Sequence, residues 1–286
     1  MKHANKYNNM KIYKKLFLFI VFGAILIPNI NAQFTRQLSF GLKGGINFTF
    51  PNTGTEYSVF ESSQIGPDQP DPFLKEYEPF TQNMASQFAF ISSYAFSDKL
   101  SISFQPALFH YNFKYMSQYS WTGSQDYRLQ FDFKQNLQYI ELPLLLKFDL
   151  SDKKLQPYLQ LGVHYSLLNK STKYTTRTEE NIYGEFIHDP LSAGTDSSYI
   201  TSNIGAIGGL GLSYKFKRSK LGIETNFRYG FHNITRKDYR YRDNEITGQF
   251  YDAPDDMKLM NLSVNIVYTV SLRCLKSDPL PSYENL

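Results

Sequence analysis

After residue 33, segments in which apolar and polar residues alternate recur eight times along the chain. Alternation with a period of two is typical of a β-strand that has one apolar and one polar face. The predicted strands are Gln37–Phe50, Asn83–Phe96, Leu100–Met116, Asp132–Leu150, Leu155–Asn169, Tyr199–Phe216, Lys220–Ile234 and Lys258–Leu272. Each strand is long enough to cross the hydrocarbon core of a bilayer at a tilt.

The connections between these strands alternate in length. Three are tight turns, at 97–99, 151–154 and 217–219. The four long connections are polar and span 51–81, 117–130, 170–198 and 235–257. A membrane barrel closes on itself so that no strand edge faces lipid, and bacterial barrels have short periplasmic turns and long outer loops. The chain is therefore predicted to be all-β, an eight-stranded antiparallel up-and-down transmembrane β-barrel over residues 33–272.

The N-terminal segment has the anatomy of a secretory signal peptide. A lysine-rich stretch at 11–15 precedes an apolar run at 16–27, and Asn31-Ala32 forms a small-residue cleavage site. The alternative is a single membrane anchor, but the run is shorter than the ~20 residues that a membrane-spanning helix needs. We therefore expect residues 1–32 to be removed and residues 273–286 to form a periplasmic tail.

Charge and cysteine content narrow the class of protein. The formal net charge is +4, but the signal segment carries five lysines and no acidic residue, so the mature chain is nearly neutral. The basic balance is therefore no indication of a nucleic-acid partner. Cys274 is the one cysteine, which excludes an intramolecular disulfide and a lipidated cysteine after the signal. The aromatic content of 16% suits the aromatic girdles of a membrane barrel.

The polar face of the predicted strands carries charged residues into the lumen. On this phase the inward charges are Lys43, Glu141, Lys147, Glu224 and Arg228. A buried charge without a partner costs several kcal/mol, so we expect these groups to pair with one another. Because an eight-stranded barrel is only wide enough for side chains to fill, a structural plug is favoured. The alternative is an ion-conducting or substrate-binding lumen.

The third predicted strand breaks its alternation at Pro106. Ile102 and Phe104 follow one phase, whereas the aromatic residues at 109, 111, 113 and 115 follow the other. A bulge near Pro106 would reset the face, since proline within a sheet is confined to bulges and edges. The alternative is that the outer half of the strand projects beyond the bilayer.

The long loops hold aromatic residues that are candidates for recognition. These include Tyr57, Phe73, Trp121, Tyr183 and Tyr241. Aromatic side chains on loops above a rigid scaffold are suited to binding. The other interpretations are that they pack together and cap the barrel, or that they continue the strands above the membrane.

No pattern for catalysis or for a cofactor is convincing. The histidines are dispersed and lack metal spacing, and there is no Gly-x-Ser-x-Gly motif. The acidic group Asp252, Asp255 and Asp256 lacks the spacing of a calcium loop. We therefore expect a non-enzymatic protein without a cofactor or a bound metal.

Three segments resemble the PorT-like outer-membrane β-barrel family of Bacteroidetes. They are the glycine-rich opening strand at 40–48, the Leu-Gln-Tyr-Ile-Glu-Leu-Pro segment that continues to Lys147, and Gln156–Gly162. The Asn-Ala-Gln junction at 31–33 is similar as well. The resemblance implies an eight-stranded barrel in the outer membrane, and the member that names the family assists protein secretion. Here the C-terminal tail departs from the family pattern, in which such barrels tend to end at the last strand.

The expected protein is a monomeric or accessory-bound barrel in the outer membrane that contacts lipid and not nucleic acid. Its expected role is structural or binding, through surface recognition or support of an envelope protein complex. The alternative is transport, as a narrow channel or as an accessory of protein secretion. An enzyme at the barrel rim would need titratable groups that converge at one end, and the sequence does not indicate such a group.

Overall fold

The computed structural model describes residues 37–59, 75–79, 82–120, 128–241 and 250–273. The predicted signal segment, the predicted tail with Cys274, and the loop residues Phe73 and Trp121 lie outside the described residues. Within the described ranges, no helix is long and apolar enough to span a bilayer.

The described residues form twelve β-strands. Nine of them make up a closed ring with eight positions, because β4 and β5 share one position. Their bounds are β1 Gln37–Thr53, β2 Glu76–Tyr77, β3 Met84–Ala95, β4 Leu100–Phe104, β5 Ala107–Ser120, β6 Arg128–Asp149, β7 Leu155–Asn181, β8 Gly184–Ile187, β9 Leu191–Gly194, β10 Ser202–Lys215, β11 Ser219–Gly230 and β12 Met257–Arg273. Two short 3₁₀ turns lie at Asp196–Ser198 and Lys237–Tyr239.

The ring closes through β1, which pairs antiparallel with β3 on one side and with β12 on the other. Around the ring the order is β1, β3, β4 with β5, β6, β7, β10, β11 and β12. Every neighbour in this ring is also the next ring strand along the chain. The predicted fold class, an eight-stranded antiparallel up-and-down barrel, is therefore confirmed.

The outer surface of the ring is apolar. Outward side chains such as Leu161, Ile266 and Leu210 are 69%, 64% and 62% exposed. On the same strands most inward residues are polar or small and most are buried, whereas apolar residues cover the outside. This inversion of a globular protein is what a barrel surrounded by lipid requires.

The break in the third strand at Pro106 is not a bulge, so that prediction is wrong. β4 and β5 pair with β6 in a single register, because Phe104 lies opposite Leu144 and Ala107 opposite Glu141. Proline lacks an N–H, but the Pro106 carbonyl still accepts a hydrogen bond from the amide of Phe90 at 3.0 Å. The alternation therefore continues unchanged, and the aromatic side chains of β5 point into the barrel.

The register shift lies in β7 instead. Tyr139 of β6 pairs with Leu168, whereas Gln138 pairs with Lys170, which leaves Asn169 as the extra residue of a bulge. Before the bulge, even-numbered residues of β7 such as His164 are buried; after it, odd-numbered residues such as Lys173 are buried. The bulge therefore exchanges the two faces of the strand.

Much of the chain predicted as long loops is strand. β7 continues twelve residues past its predicted end at Asn169, and β8 and β9 pair back onto it. Residues 170–176 are rich in Thr and Lys, so polarity indicated a loop although the β-branched residues favour a strand. β5, β6 and β7 therefore extend beyond the other strands at the long-loop end of the barrel.

Two adjacent glycines of β10 give a test of which strand face points into the barrel. A Cβ on Gly209 would lie 2.0 Å from Oδ1 of Asn226 inside the barrel, whereas a Cβ on Gly208 would meet only Leu161 Cδ2 at 3.4 Å. We expect Gly209→Ala to destabilise the folded barrel by about 1–3 kcal/mol, since the interior has no room for the methyl group.

The matched control is Gly208→Ala, which faces outward. Stability is measured by urea unfolding in lipid vesicles, followed by the change of electrophoretic mobility between folded and unfolded chains. Equal unfolding midpoints for the two variants would contradict the inward assignment of Gly209.

Candidate functional site

The interior of the barrel is the first candidate site, and an ion pair lies near its middle. Lys43 Nζ of β1 is 3.0 Å from Glu224 Oε1 of β11. Glu224 also accepts hydrogen bonds from Tyr158 Oη at 2.9 Å and from Asn226 Nδ2 at 2.8 Å. The lysine and the carboxylate are each 2% exposed, so the pair is fully desolvated and its remaining polar atoms are satisfied by side chains.

A second ion pair lies one level nearer the long-loop end. Arg228 Nε is 3.3 Å from Glu141 Oε2, and Arg228 Nη1 donates a hydrogen bond to Ser263 Oγ at 2.9 Å. Tyr111 Oη donates to Glu141 Oε1 at 2.5 Å. The Arg228 guanidinium also lies 4.5 Å from the centroid of the Phe109 ring, a cation–π contact. Charge and ring together fill this level of the lumen.

Lys147, the fifth of the predicted lumen charges, lies apart from the other four. Its Nζ is 3.6 Å from Asp149 Oδ1 and 3.5 Å from the centroid of the Tyr158 ring. Lys220 pairs with the same carboxylate, at 3.3 Å from Asp149 Oδ2. These three charged groups occupy the mouth of the barrel at the short-turn end.

Above the second ion pair the interior becomes aromatic. The inward residues of β5 and β6 form this layer, which contains Phe109, Tyr111, Phe113, Tyr115, Phe131, Phe133, Leu137 and Tyr139. The rings of Tyr115 and Phe133 are stacked with centroids 4.8 Å apart. The layer follows directly from the uninterrupted register at Pro106, which turns the β5 aromatics inward.

The segment that precedes β12 folds into the long-loop end of the barrel. We call residues 250–256 the inner segment. Asp252 is 1% exposed, and Ala253 and Asp255 are fully buried. Tyr251 has a φ of 50°, a left-handed conformation at the point where the chain enters the mouth. The inner segment lies on the aromatic layer, where Phe250 contacts Phe131 with centroids 5.6 Å apart.

Two lysines hold the carboxylates of the inner segment. Lys75 Nζ lies 2.9 Å from Asp255 Oδ1 and 3.3 Å from Asp252 Oδ1, and Lys173 pairs with Asp252 from β7. Tyr77 Oη donates to Asp255 Oδ2 at 2.7 Å, and Tyr115 Oη donates to Asp252 Oδ2 at 2.8 Å. The bulge in β7 makes this possible, because it turns Lys173 inward.

The neighbouring lysines determine the protonation state of Asp252. Burial alone would raise the pKa of Asp252, but Lys173 and Lys75 outweigh burial and lower the pKa to about 2. The phenol of Tyr77 shifts the other way, because burial and the neighbouring Asp255 raise its pKa well above the usual value. The carboxylate is therefore ionised and the phenol remains a proton donor at neutral pH.

A third contact covers the inner segment from outside. Arg240 pairs with Asp256, and its guanidinium lies 3.3 Å from the centroid of the Tyr57 ring. The Tyr57 amide donates to Asp255 Oδ1 at 2.9 Å. Tyr57 is thus packed against the mouth, as the capping interpretation of the loop aromatics expects.

Two other loop aromatics are exposed. Tyr183 is 84% exposed at the turn between β7 and β8, and Tyr241 is 58% exposed at the end of a described loop. Ile182 and Ile187 beside Tyr183 are 70% and 71% exposed, and Phe186 is 51% exposed. We call Ile182, Tyr183, Phe186 and Ile187 the apolar tip.

The sequence did not reveal the lysine cage around the inner segment. Lys75 and Lys173 lie within segments that the sequence predicts as loops, where the acidic group is explained equally well as a solvated part of a loop. The sequence does hold a hint, because Asp252 directly follows two aromatic residues, which favours a buried position. The lysines that pair with it lie 177 and 79 positions earlier in the chain, so no local pattern identifies them. Among the described residues, no group of three metal-ligating side chains is arranged to hold a metal ion.

Comparison with known proteins gives the same class. The family described as "Outer membrane protein beta-barrel domain" matches residues 31–236. No curated protein matches the chain. The chain is similar to the outer membrane protein OprG of Pseudomonas aeruginosa, at 15% identity over 85% of this chain and 100% of that one, with a TM-score of 0.38. It is also similar to neisserial surface protein A, at 11% identity over 82% and 97%, with a TM-score of 0.32.

The buried pair of Arg228 and Glu141 gives a test by double substitution. We expect Arg228→Met to destabilise the barrel by about 3–5 kcal/mol, because it leaves the Glu141 carboxylate buried without its cation. Adding Glu141→Gln removes that charge, so the double variant recovers most of the loss.

The measurement is urea unfolding in lipid vesicles. The unchanged protein, the two single variants and the double variant are compared in the same buffer. If the double variant unfolds as easily as Arg228→Met, the two side chains are not energetically coupled and the pairing is contradicted.

Proposed function

Because the chain belongs to the outer membrane protein β-barrel domain family, we propose that it is a closed, non-enzymatic barrel that binds a partner through its long-loop end. The outer membrane is the location that the family indicates. The proposal concerns what the barrel does there, and it divides into a closed lumen and a binding end.

The observation that carries the proposal is the successive filling of the lumen. From the short-turn mouth upward, the interior holds the Lys147 group, the two buried ion pairs, the aromatic layer and the inner segment. Each of the two ion pairs joins strands that are not neighbours in the ring, so the side chains cross the lumen. A pathway for ions would require several of these levels to open together.

The binding end is supported by the contrast between the filled mouth and the apolar tip. Tyr183 is 84% exposed and lies beside two isoleucines. Transfer of such apolar side chains from water into an interface lowers the free energy. Contiguous exposed apolar groups in water are typical of interaction sites. Because β7 and β8 lift the apolar tip beyond the ring, it is accessible to a partner outside the bilayer.

An accessory role in protein secretion is the finer form of this proposal. Its support is the resemblance of the strand motifs to the PorT-like family, and a secretion accessory would act through a stable protein partner. A barrel that acts alone at the cell surface would instead be monomeric after mild detergent extraction. Native mass spectrometry of the extracted protein separates the two forms by mass.

Planar-bilayer recording tests the closed lumen. We expect no stable conductance steps from the refolded barrel in potassium chloride, because charged and aromatic side chains occupy every level of its interior. A porin inserted into the same bilayer is the positive control. Reproducible, uniform steps from this chain would favour the transport alternative and overturn the closed lumen.

Site-specific photo-crosslinking tests the binding end. A benzophenone amino acid replaces Glu185, which lies between Tyr183 and Phe186, and whole cells are irradiated. We expect a discrete adduct, and we expect its yield to fall about tenfold or more when Tyr183, Phe186 and Ile187 are changed to Ser, since an interface core depends on a few apolar anchors. The same probe at exposed Asp238, on a different loop, is the control.

An adduct that is as abundant in the serine variant, or that forms equally at position 238, would contradict a binding role for the apolar tip.

A further inference from the structure

The short-turn end of the barrel is strongly cationic. Residues 98–99, 147–154 and 215–220, in and beside the three short turns, include eight lysines and arginines and three aspartates, which gives a net charge of +5. The cations are Lys99, Lys147, Lys153, Lys154, Lys215, Lys217, Arg218 and Lys220, and the aspartates are Asp98, Asp149 and Asp152. The basic character of the short-turn end is separate from that of the lysines in the predicted signal segment.

Most of these cations have no carboxylate partner. Asp149 serves Lys147 and Lys220 inside the mouth. The other six, Lys99, Lys153, Lys154, Lys215, Lys217 and Arg218, are exposed, and none lies in an ion pair with a described residue. We call these six residues the cationic rim.

The long-loop end is different, because its acidic residues are at least as numerous as its cations. The described residues within 51–79, 114–134, 170–198 and 235–258 include eleven lysines and arginines and thirteen aspartates and glutamates. Lys75 and Lys173 pair with the inner segment, and Arg240 pairs with Asp256. On the outer surface Arg128 pairs with Glu180 and Arg177 pairs with Glu179. Other cations of the long-loop end, such as Lys134 and Lys170, lie in no ion pair with a described residue, but the acidic residues there offset their charge. The net positive charge is therefore a property of the short-turn end.

The cationic rim forms a continuous arc. The Lys99 carbonyl accepts a hydrogen bond from the amide of Asp149 at 2.8 Å, which joins the first turn to the second. The Lys154 carbonyl accepts from the amide of Lys215 at 2.8 Å, which joins the second turn to the third. The turns are thus held side by side by backbone bonds, and their charges share one surface.

Aromatic pairs place this arc at the membrane surface. Tyr94 and Phe96 on the outer face have ring centroids 5.3 Å apart, and Tyr214 and Phe216 have centroids 5.0 Å apart. Outward tyrosine and phenylalanine rings mark the boundary between hydrocarbon and headgroups. Lys99 follows Phe96 by three residues and Lys217 follows Phe216 directly, so the cations lie at the level of the lipid phosphates.

We propose that the cationic rim binds the phosphate groups of anionic phospholipids, such as phosphatidylglycerol, in the leaflet that borders the short turns. Short turns of three or four residues keep the ammonium groups beside the bilayer and do not project them away from it. Among the anionic groups of the bilayer, the lipid phosphates are therefore the nearest to the cationic rim. In an outer-membrane barrel this leaflet faces the periplasm.

The test uses the full chain refolded into vesicles of phosphatidylcholine, with or without a fraction of phosphatidylglycerol. The rim variant carries Lys153→Gln, Lys154→Gln, Lys217→Gln and Arg218→Gln. The control variant removes the same charge from the other end, by Arg128→Gln, Arg177→Gln, Arg236→Gln and Lys237→Gln. Native mass spectrometry measures the ratio of phosphatidylglycerol to phosphatidylcholine that stays bound to the barrel.

The attraction between a single lysine or arginine and an anionic bilayer surface changes a binding equilibrium by about fivefold. We therefore expect enrichment of phosphatidylglycerol on the unchanged protein and on the control variant, and a ratio at least about fivefold lower on the rim variant. Raising the salt concentration lowers the enrichment on the unchanged protein, since exposed charges are screened.

Three outcomes would overturn the proposal. One is equal phosphatidylglycerol enrichment on the rim variant and the control variant. Another is enrichment that high salt leaves unchanged. The third is loss of a stoichiometric acidic protein from native membranes of the rim variant while lipid enrichment is kept, because the occupant of the cationic rim is then a protein. The substitutions of the rim variant lie in exposed turns, and the heat-dependent gel mobility of both variants verifies that they fold.

Discussion

Closure of the hydrogen-bonded ring is the constraint on which the rest of this molecule depends. In hydrocarbon there is no water to satisfy a free backbone amide, so β1 must pair on both of its edges, with β3 and with β12. With eight positions, the ring encloses a space only wide enough for side chains. The outer face must be apolar, which leaves the charged and polar residues to the inside. The buried ion pairs, the glycines beside them and the filled lumen follow from this geometry.

The sequence predicted the ring well because alternation with a period of two is imposed directly by lipid on one face and by the lumen on the other. β12 shows this clearly, since Asn261, Ser263 and Asn265 are buried inside while Ile266 is exposed outside. The alternation is a local property, and eight repetitions of it with alternating short and long connections leave few other folds. The same alternation predicts which charged residues point into the lumen.

What the sequence did not predict depends on contacts between distant residues. The aromatic residues of β5 predict a reset of phase at Pro106 only if they face lipid, whereas they fill the upper lumen. The bulge at Asn169 had no local signature, since the polar residues after it were consistent with a loop. The lysine cage joins Lys75, Lys173 and the inner segment from three separate parts of the chain. Alternation identifies the two faces of a strand, but it does not tell which side chains meet across the lumen.

The bulge at Asn169 divides β7 into two halves with independent phase. The lower half is set by lipid, and the upper half is set by the aromatic layer and the lysine cage. A change of one residue in the length of either half would exchange the environments of all its side chains, while the other half would keep its own. The bilayer therefore constrains substitutions in the lower half, whereas the aromatic layer and the lysine cage constrain those in the upper half, although both halves belong to one continuous strand.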